Sequence, residues 1–171
     1  MRALADETRI RRFLRALGRE AEEGTAYLTG GVTAVLFGWR GTTIDVDLKL
    51  VPENERTLRA LARLKDELEI NVELASPADF IPVPSGWEER SPFAASEGRL
   101  TYRHFDLDAQ ALAKLERAHT RDRADVEAMF ERRLIEPAAL LAYFERVEPE
   151  LYRFPAIDPA SFRRRVEEAC R

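Results

Sequence analysis

Two aspartates stand two positions apart in residues 43–50, a stretch in which polar and apolar residues alternate. In a β-strand such residues lie side by side on one face, so Asp45 and Asp47 would bring two negative charges together. Like charges at this spacing repel each other unless a cation neutralises them or water solvates them. The pair therefore suits a divalent metal cation that takes oxygen ligands.

A Gly-Gly pair, Gly30 and Gly31, precedes the first aspartate with thirteen residues between them. The pair follows a short apolar stretch that predicts a strand and precedes residues 32–37, which predict a short helix. Free amides and the helix dipole at the start of a helix favour bound phosphate. A third carboxylate, Glu73, lies on a second alternating stretch, residues 70–74. Together these features predict a site for phosphate and a divalent metal.

A solvated strand face is the simpler interpretation of Asp45 and Asp47, because alternating acidic residues can merely mark the outer face of a sheet. Lys49 lies on the same face and could neutralise Asp47 without any metal. Aspartate is nevertheless a poor strand former, so two of them in so regular a strand indicate a specific role.

The spacing of these residues resembles the signature of the DNA polymerase β-like nucleotidyltransferase superfamily. That signature is a hydrophobic residue, Gly, Gly or Ser, a spacer, and then Asp-hydrophobic-Asp/Glu-hydrophobic. Gly30-Gly31 and Asp45-Val46-Asp47-Leu48 follow it here. Residues 114–117, 121–126 and 86–91 also resemble segments of minimal bacterial members, namely abortive-infection toxin nucleotidyltransferases and an uncharacterised branch related to them.

The resemblance implies a role for each of these residues. Mg²⁺ or Mn²⁺ would be held by Asp45, Asp47 and Glu73, and the triphosphate of a nucleoside triphosphate would contact Gly30, Gly31, Thr33 and Lys114. Glu73 stands where many members have an aspartate that binds the metal and accepts the proton of the attacking hydroxyl. For Lys114, a solvated position on a helix is the alternative.

The activity that the resemblance implies is transfer of a nucleoside monophosphate to a hydroxyl on RNA, a protein or a small molecule, with release of pyrophosphate. The implied setting is a bacterial toxin–antitoxin or phage-defence module, with a cognate partner protein. Two alternatives remain open at this point. One is a non-catalytic sensor that binds NTP and Mg²⁺ or a partner protein, and it stays open because Glu73 stands where many members have an aspartate. The other is a plain structural domain.

Length, composition and charge limit the number of domains, the kinds of partner and the cellular compartment. The 171 residues, of which 45% are hydrophobic, suffice for one domain, or for a compact domain with a helical appendage. A net charge of −4 gives no general attraction to nucleic acid or to an anionic membrane. The single cysteine, Cys170, and the lack of an apolar leader or membrane-spanning stretch predict a cytoplasmic protein with no membrane partner.

The elements that must position the site predict an α/β (α+β) fold. It would be a nucleotidyltransferase-like domain, residues 1–105, with a small mixed sheet and flanking helices, and a helical region, residues 106–171, packed on it. The site would lie in the cleft between these halves. The predicted helices cover residues 7–22, 32–37, 53–69, 106–117, 120–133, 137–147 and 161–170. Strands are predicted at residues 26–28, 43–50, 70–74 and 99–105, with a brief one at Phe80-Ile81 and a surface turn at residues 86–90.

Other polar and aromatic residues favour structural roles. His104 and His119 have no Cys or His at a metal-binding spacing, so zinc is not supported. Asp122 and Asp125 suit a helix start and an ion pair better than direct chemistry. A core-covering position is favoured for Trp87 over a nucleoside pocket.

Overall fold

A five-stranded mixed sheet forms the centre of the first part of the chain in the computed structural model, which describes residues 2–171. Contacts divide the chain into two units. The first runs through Ser76 and includes Ser91–His104, whereas the second consists of Pro77–Arg90 and Phe105–Arg171. The sequence had assigned the segment 77–90 to the first half, and the structure groups it with the helical unit. The mixed α/β class predicted from the sequence is confirmed.

The strands of the first unit are β1 (Ala5–Asp6), β2 (Gly24–Thr29), β3 (Thr42–Thr43), β4 (Asp45–Val51), β5 (Asn71–Leu74), β6 (Phe93–Glu97) and β7 (Leu100–His104). The main sheet has the strand order β5-β4-β2-β7-β6. Strand β2 is antiparallel to β4 and parallel to β7, β4 is parallel to β5, and β6 is antiparallel to β7. A separate short ribbon pairs β1 with β3. The helices are α1 (Glu7–Glu20), α2 (Gly31–Phe37) and α3 (Glu55–Glu67).

The apolar stripes of α1 and α3 form one core with one face of the sheet. Helix α1 starts where the Asp6 side chain accepts a hydrogen bond from the Arg9 amide, and α3 starts where Asn54 accepts one from Thr57. The shared core includes Phe13, Leu14, Leu17, Leu28, Val46, Leu48, Leu61, Leu64 and Tyr102. The opposite, polar face of β4 is thereby left for Asp45 and Asp47.

Gly18 lets the backbone of α1 touch the turn between β6 and β7. The Arg99 amide donates a 2.9 Å hydrogen bond to the Gly18 carbonyl, and a Cβ on Gly18 would overlap the Glu97 carbonyl oxygen. We expect Gly18→Ala to lower the free energy of unfolding by about 1–3 kcal/mol, because neither backbone can yield easily. Urea denaturation followed by circular dichroism checks this. Arg15→Ala, an exposed position on α1, is the control, and the explanation is wrong if Gly18→Ala is as stable as the native chain.

The single strand predicted over residues 43–50 is broken at Ile44 into β3 and β4, so its predicted alternation is wrong before Asp45. The alternation predicts that Ile44 faces inward with Val46, Leu48 and Leu50, but Ile44 is 53% exposed and Thr43 is buried. The cause is that β3 pairs with β1 instead of the main sheet, and the Thr43 hydroxyl donates a hydrogen bond to the Asp45 carbonyl at the corner. The alternation of residues 70–74 likewise predicts an inward-facing Leu74, but Leu74 lies at the end of the edge strand β5 and is 46% exposed.

The second unit is helical. Its helices are α4 (Trp87–Arg90), α5 (Leu107–Arg117), α6 (Thr120–Glu131), α7 (Pro137–Val147) and α8 (Pro159–Ala169), with 3₁₀ turns at Pro77–Asp79 and Glu148–Arg153. The four long helices predicted for this region are confirmed to within a few residues. Their core contains an edge-to-face pair, Phe144 and Phe162, with ring centroids 5.0 Å apart.

Three local predictions in the second unit were wrong. Phe80 and Ile81 form no strand, because their amides both donate to the Pro77 carbonyl in a 3₁₀ turn. Residues 86–90 include the short helix α4 in place of a turn. The sequence predicts Thr120 as the N-cap of helix α6, but the N-cap is His119, whose amide donates a 3.2 Å hydrogen bond to the Asp122 carboxylate.

Candidate functional site

The polar face of β4 carries the two aspartates as the sequence predicts from Asp45 onward. Asp45, Asp47 and Lys49 are half-buried and alternate with buried Val46, Leu48 and Leu50. The apolar set belongs to the core with α1 and α3, so strand periodicity turns both aspartates away from that core.

Strand register places Asp47 at the centre of a polar row. Thr29 on β2 pairs with Asp47, and Asp47 pairs with Glu73 on β5. Asp45 pairs with Asn71 in the same register. Paired residues on neighbouring strands face the same side of a sheet, so the third carboxylate is next to Asp47 and diagonal to Asp45.

The Gly-Gly turn lies against this row. Gly30, at the end of β2, has φ +69°, and a Cβ there would come within 2.9 Å of the Asp47 Oδ2 atom. A Cβ on Gly31 would overlap the Thr43 hydroxyl. Glycine is required at both positions because the turn closes tightly over the aspartate strand. The two halves of the sequence pattern are therefore neighbours in space.

Thr33 has a different environment from the one expected of a triphosphate contact. It is buried in α2, and its Oγ1 atom lies 3.0 Å from His104 Nδ1 and 3.4 Å from the Leu28 carbonyl oxygen. The ring of His104 also lies 4.5 Å from that of Phe37. These contacts place the hydroxyl in the interior of the first unit, where it orients His104.

Lys114 is part of an ion-pair cluster inside the second unit. Its Nζ atom lies 2.7 Å from Asp125 Oδ2 and 3.8 Å from Asp122 Oδ1, and all three side chains are buried. Arg117 donates two further hydrogen bonds to Asp122, at 2.8 and 2.6 Å. The cluster gives Lys114, Asp122 and Asp125 a clear structural role within the helical unit.

The donor set fits Mg²⁺ that arrives with phosphate better than a protein-only metal site. Among residues 2–171, no three His, Cys, Asp or Glu side chains form a group that could hold a metal ion. Asp45, Asp47 and Glu73 are thus not assembled as one three-ligand group, and Glu73 is exposed on the edge strand. Mg²⁺ needs only one or two carboxylates when water and phosphate oxygens complete its shell. Asp45 and Asp47 meet that requirement.

Arg40 is a residue near the turn that the sequence interpretation missed. Its Nη1 atom lies 3.3 Å from the position that a Cβ on Gly31 would take. One signal could have found it, since Arg40 is the only charged residue between Gly31 and Asp45.

Burial of His104 gives the first unit a pH dependence. Burial lowers the pKa of His104 from 6.5 to about 4, with a smaller contribution from the charge of Arg11. Between these values the unfolded chain binds a proton that the folded chain does not, so stability falls as pH decreases. We expect the native chain to lose about 2 kcal/mol more than His104→Gln between pH 7 and pH 5.

Urea denaturation of both proteins at pH 7 and pH 5 measures that difference. Asp108, whose pKa burial raises to about 6, contributes with the opposite sign in both proteins and cancels in the comparison. Equal losses of stability in the two proteins would show that His104 is not buried in its neutral form.

Comparison of the chain with protein-family models, curated proteins and solved structures gave no match. Within residues 2–171, no helix has both the length and the apolar character to cross a bilayer. The interpretation of the polar face therefore rests on its residues and their geometry.

Proposed function

We propose that the chain is a nucleotidyltransferase of the DNA polymerase β-like class, which uses Mg²⁺ and a nucleoside triphosphate to modify a hydroxyl. The observation that supports this most directly is the position of the Gly30-Gly31 turn against the Asp47 carboxylate. Glycines that admit a phosphate and carboxylates that hold its metal must be neighbours for this chemistry. Here the Gly30-Gly31 turn and Asp47 are neighbours although fifteen residues separate them in the chain.

In the proposed reaction each residue of the polar face would have a separate role. Asp45 and Asp47 hold the metal, and the turn at Gly30 and Gly31 admits the triphosphate. Bound Mg²⁺ neutralises charge on the phosphate oxygens. The acceptor hydroxyl oxygen forms a bond to the α-phosphorus. The bond between the α-phosphorus and the oxygen that bridges the α- and β-phosphates breaks, and pyrophosphate leaves. Glu73, exposed beside Asp47, would take the hydroxyl proton.

Acceptor and setting belong to the same proposal. An RNA end, a protein hydroxyl or a small-molecule hydroxyl serves as acceptor, and a bacterial toxin–antitoxin or defence module in the cytoplasm, with a cognate partner protein, is the proposed context. These expectations rest on the resemblance of the Gly-Gly and Asp-Val-Asp segments to that class.

A second candidate function is binding of NTP and Mg²⁺ without transfer, as in a nucleotide sensor. It is favoured by one observation: Glu73 is not assembled with Asp45 and Asp47 into a three-ligand group. A pair of carboxylates suffices for binding, whereas transfer also needs a base at the hydroxyl.

Labelled NTPs distinguish the two candidates. The purified chain is incubated with each of the four α-³²P-labelled NTPs, Mg²⁺ and one of three acceptor pools: total RNA, a protein extract, or the chain alone. Mg²⁺-dependent label in acid-insoluble material, or in a new acid-soluble product separated from the NTP by thin-layer chromatography, supports transfer. Saturable NTP binding by calorimetry with no label in any pool supports the sensor. If the chain neither binds NTP nor transfers label, both candidates are wrong and the polar face is a solvated surface.

A further inference from the structure

Arg40 lies in the loop that connects α2 to β3, and its main chain is folded back onto α2. The amides of Gly38, Trp39 and Arg40 all donate to the carbonyl of Ala34, at 3.1, 3.1 and 3.3 Å. Gly38 takes a left-handed conformation, φ +93°, which allows this reversal. The base of the Arg40 side chain is therefore held in place by the helix itself.

The aromatic neighbours of this loop add to its rigidity. The ring of Trp39 stacks on that of Phe37 with centroids 6.0 Å apart and an interplanar angle of 15°. Phe37 in turn contacts the buried ring of His104. An arginine on such a support loses little conformational freedom when it binds a ligand.

The Arg40 side chain runs back from the middle of α2 to the Gly-Gly turn. Its Nη1 atom approaches the face of Gly31 from which a side chain would project, at 3.3 Å from the missing Cβ. The Thr43 hydroxyl occupies the same space, and Thr43 is fixed by its bond to the Asp45 carbonyl and by the pairing of β3 with β1. The turn is thus bordered by the Arg40 guanidinium at Gly31 and by the Asp47 carboxylate at Gly30.

This placement resolves a charge problem on the polar face. Asp45, Asp47 and Glu73 repel a triphosphate, and α2 is only seven residues long, so its dipole offers little compensation. The expected cation, Lys114, is buried with Asp125 and Asp122 in the second unit. Arg40 lies at the turn itself, at Gly31, and a guanidinium can donate two parallel hydrogen bonds to phosphate oxygens.

We infer that Arg40 is a substrate-binding residue whose guanidinium donates to the terminal phosphates of the nucleoside triphosphate at the Gly30-Gly31 turn. The inference rests on the proposed function and adds to it. It predicts selectivity for phosphate number: triphosphates bind through Arg40, and monophosphates do not. A structural role for Arg40, such as neutralising Asp47, predicts equal effects on both kinds of nucleotide.

Calorimetry with Mg²⁺ tests this selectivity. Each protein is titrated with ATP, GTP, CTP and UTP, and with the monophosphate of whichever NTP the native chain binds most tightly. We expect Arg40→Ala to weaken NTP binding about 10- to 100-fold and to change monophosphate binding by less than about 3-fold. Arg40→Lys keeps the positive charge without the planar guanidinium, so its NTP affinity should lie between those of the native chain and Arg40→Ala. Arg12→Ala, an exposed arginine on α1, is the control and should bind as the native chain does.

The outcomes separate this inference from the proposed function. If the native chain binds no NTP, both are wrong. If the native chain binds NTP but Arg40→Ala weakens the binding of triphosphate and of monophosphate equally, only the role of Arg40 is overturned. The same holds if Arg40→Ala weakens the binding of neither nucleotide. Arg40→Gln, which keeps most of the side-chain stem, is measured beside Arg40→Ala, with a thermal melt of each. Unfolding of both variants at the assay temperature would assign Arg40 to the structure and also overturn the inference.

Discussion

Asp47→Asn is expected to reduce nucleotide transfer by about 100-fold or more while leaving the fold intact. The amide keeps the size of the side chain but removes the charge that holds a divalent cation, and the loss of several kcal/mol of metal-assisted stabilisation corresponds to that factor. Asp47 is the centre of the site because it pairs with Glu73, faces Thr29 and lies under Gly30. Asp45→Asn should have a similar effect.

The measurement is the initial rate of label transfer from the preferred α-³²P-labelled NTP at several Mg²⁺ concentrations. Asp66→Asn is the control, because Asp66 is exposed and forms only a surface ion pair with Arg2, of the kind that contributes little. Stability is measured in parallel, so that a loss of transfer caused by unfolding is not mistaken for a loss of metal binding. Full transfer activity in Asp47→Asn would contradict the proposed function.

The parts of the fold that follow local periodicity could be predicted from the sequence. The stripe of α1, the alternation of β4 from Asp45 onward and the proline at the start of α7 each depend on residues a few positions apart. Strand β6 was missed because it has no alternation, with exposed Phe93 and half-buried Ala94 and Ala95.

The parts of the site that depend on distant partners could not be predicted in the same way. Sequence spacing indicated that Gly30 and Asp47 belong together, but Ile44 was assigned to the wrong face because the pairing of β3 with β1 is not local. Lys114 looked like a surface cation because its buried partner, Asp125, is on the next helix. Arg40 was overlooked because a fold-back of the loop, invisible in the sequence, brings it to the turn.

Lys114→Ala is expected to destabilise the helical unit by about 3–5 kcal/mol. Removing one member of a buried ion pair leaves the other charged, desolvated and unpaired. Asp125 loses a charged partner inside the unit, because only 3% of its side chain is exposed and Lys114 Nζ lies 2.7 Å away. Asp122 is less affected, since Arg117 retains two hydrogen bonds to it and keeps its pKa low despite burial.

A double replacement tests this explanation. Lys114→Met with Asp125→Leu removes both charges and fills the space with apolar atoms, which is often neutral for buried pairs, so most of the lost stability should return. Lys65→Ala, a half-buried lysine on α3, is the control and should change the free energy of unfolding by less than about 0.5 kcal/mol. Urea unfolding followed by circular dichroism provides the values.

The same variants decide between the two roles considered for Lys114. A structural lysine predicts that the double replacement folds and, in the proposed nucleotide-binding chain, still binds NTP with nearly native affinity. A triphosphate-binding lysine predicts the reverse: Lys114→Ala would remain stable, and NTP binding would fall in both variants. Burial beside two aspartates favours the first outcome, because a cation already paired in the interior must lose those partners before it can reach a phosphate.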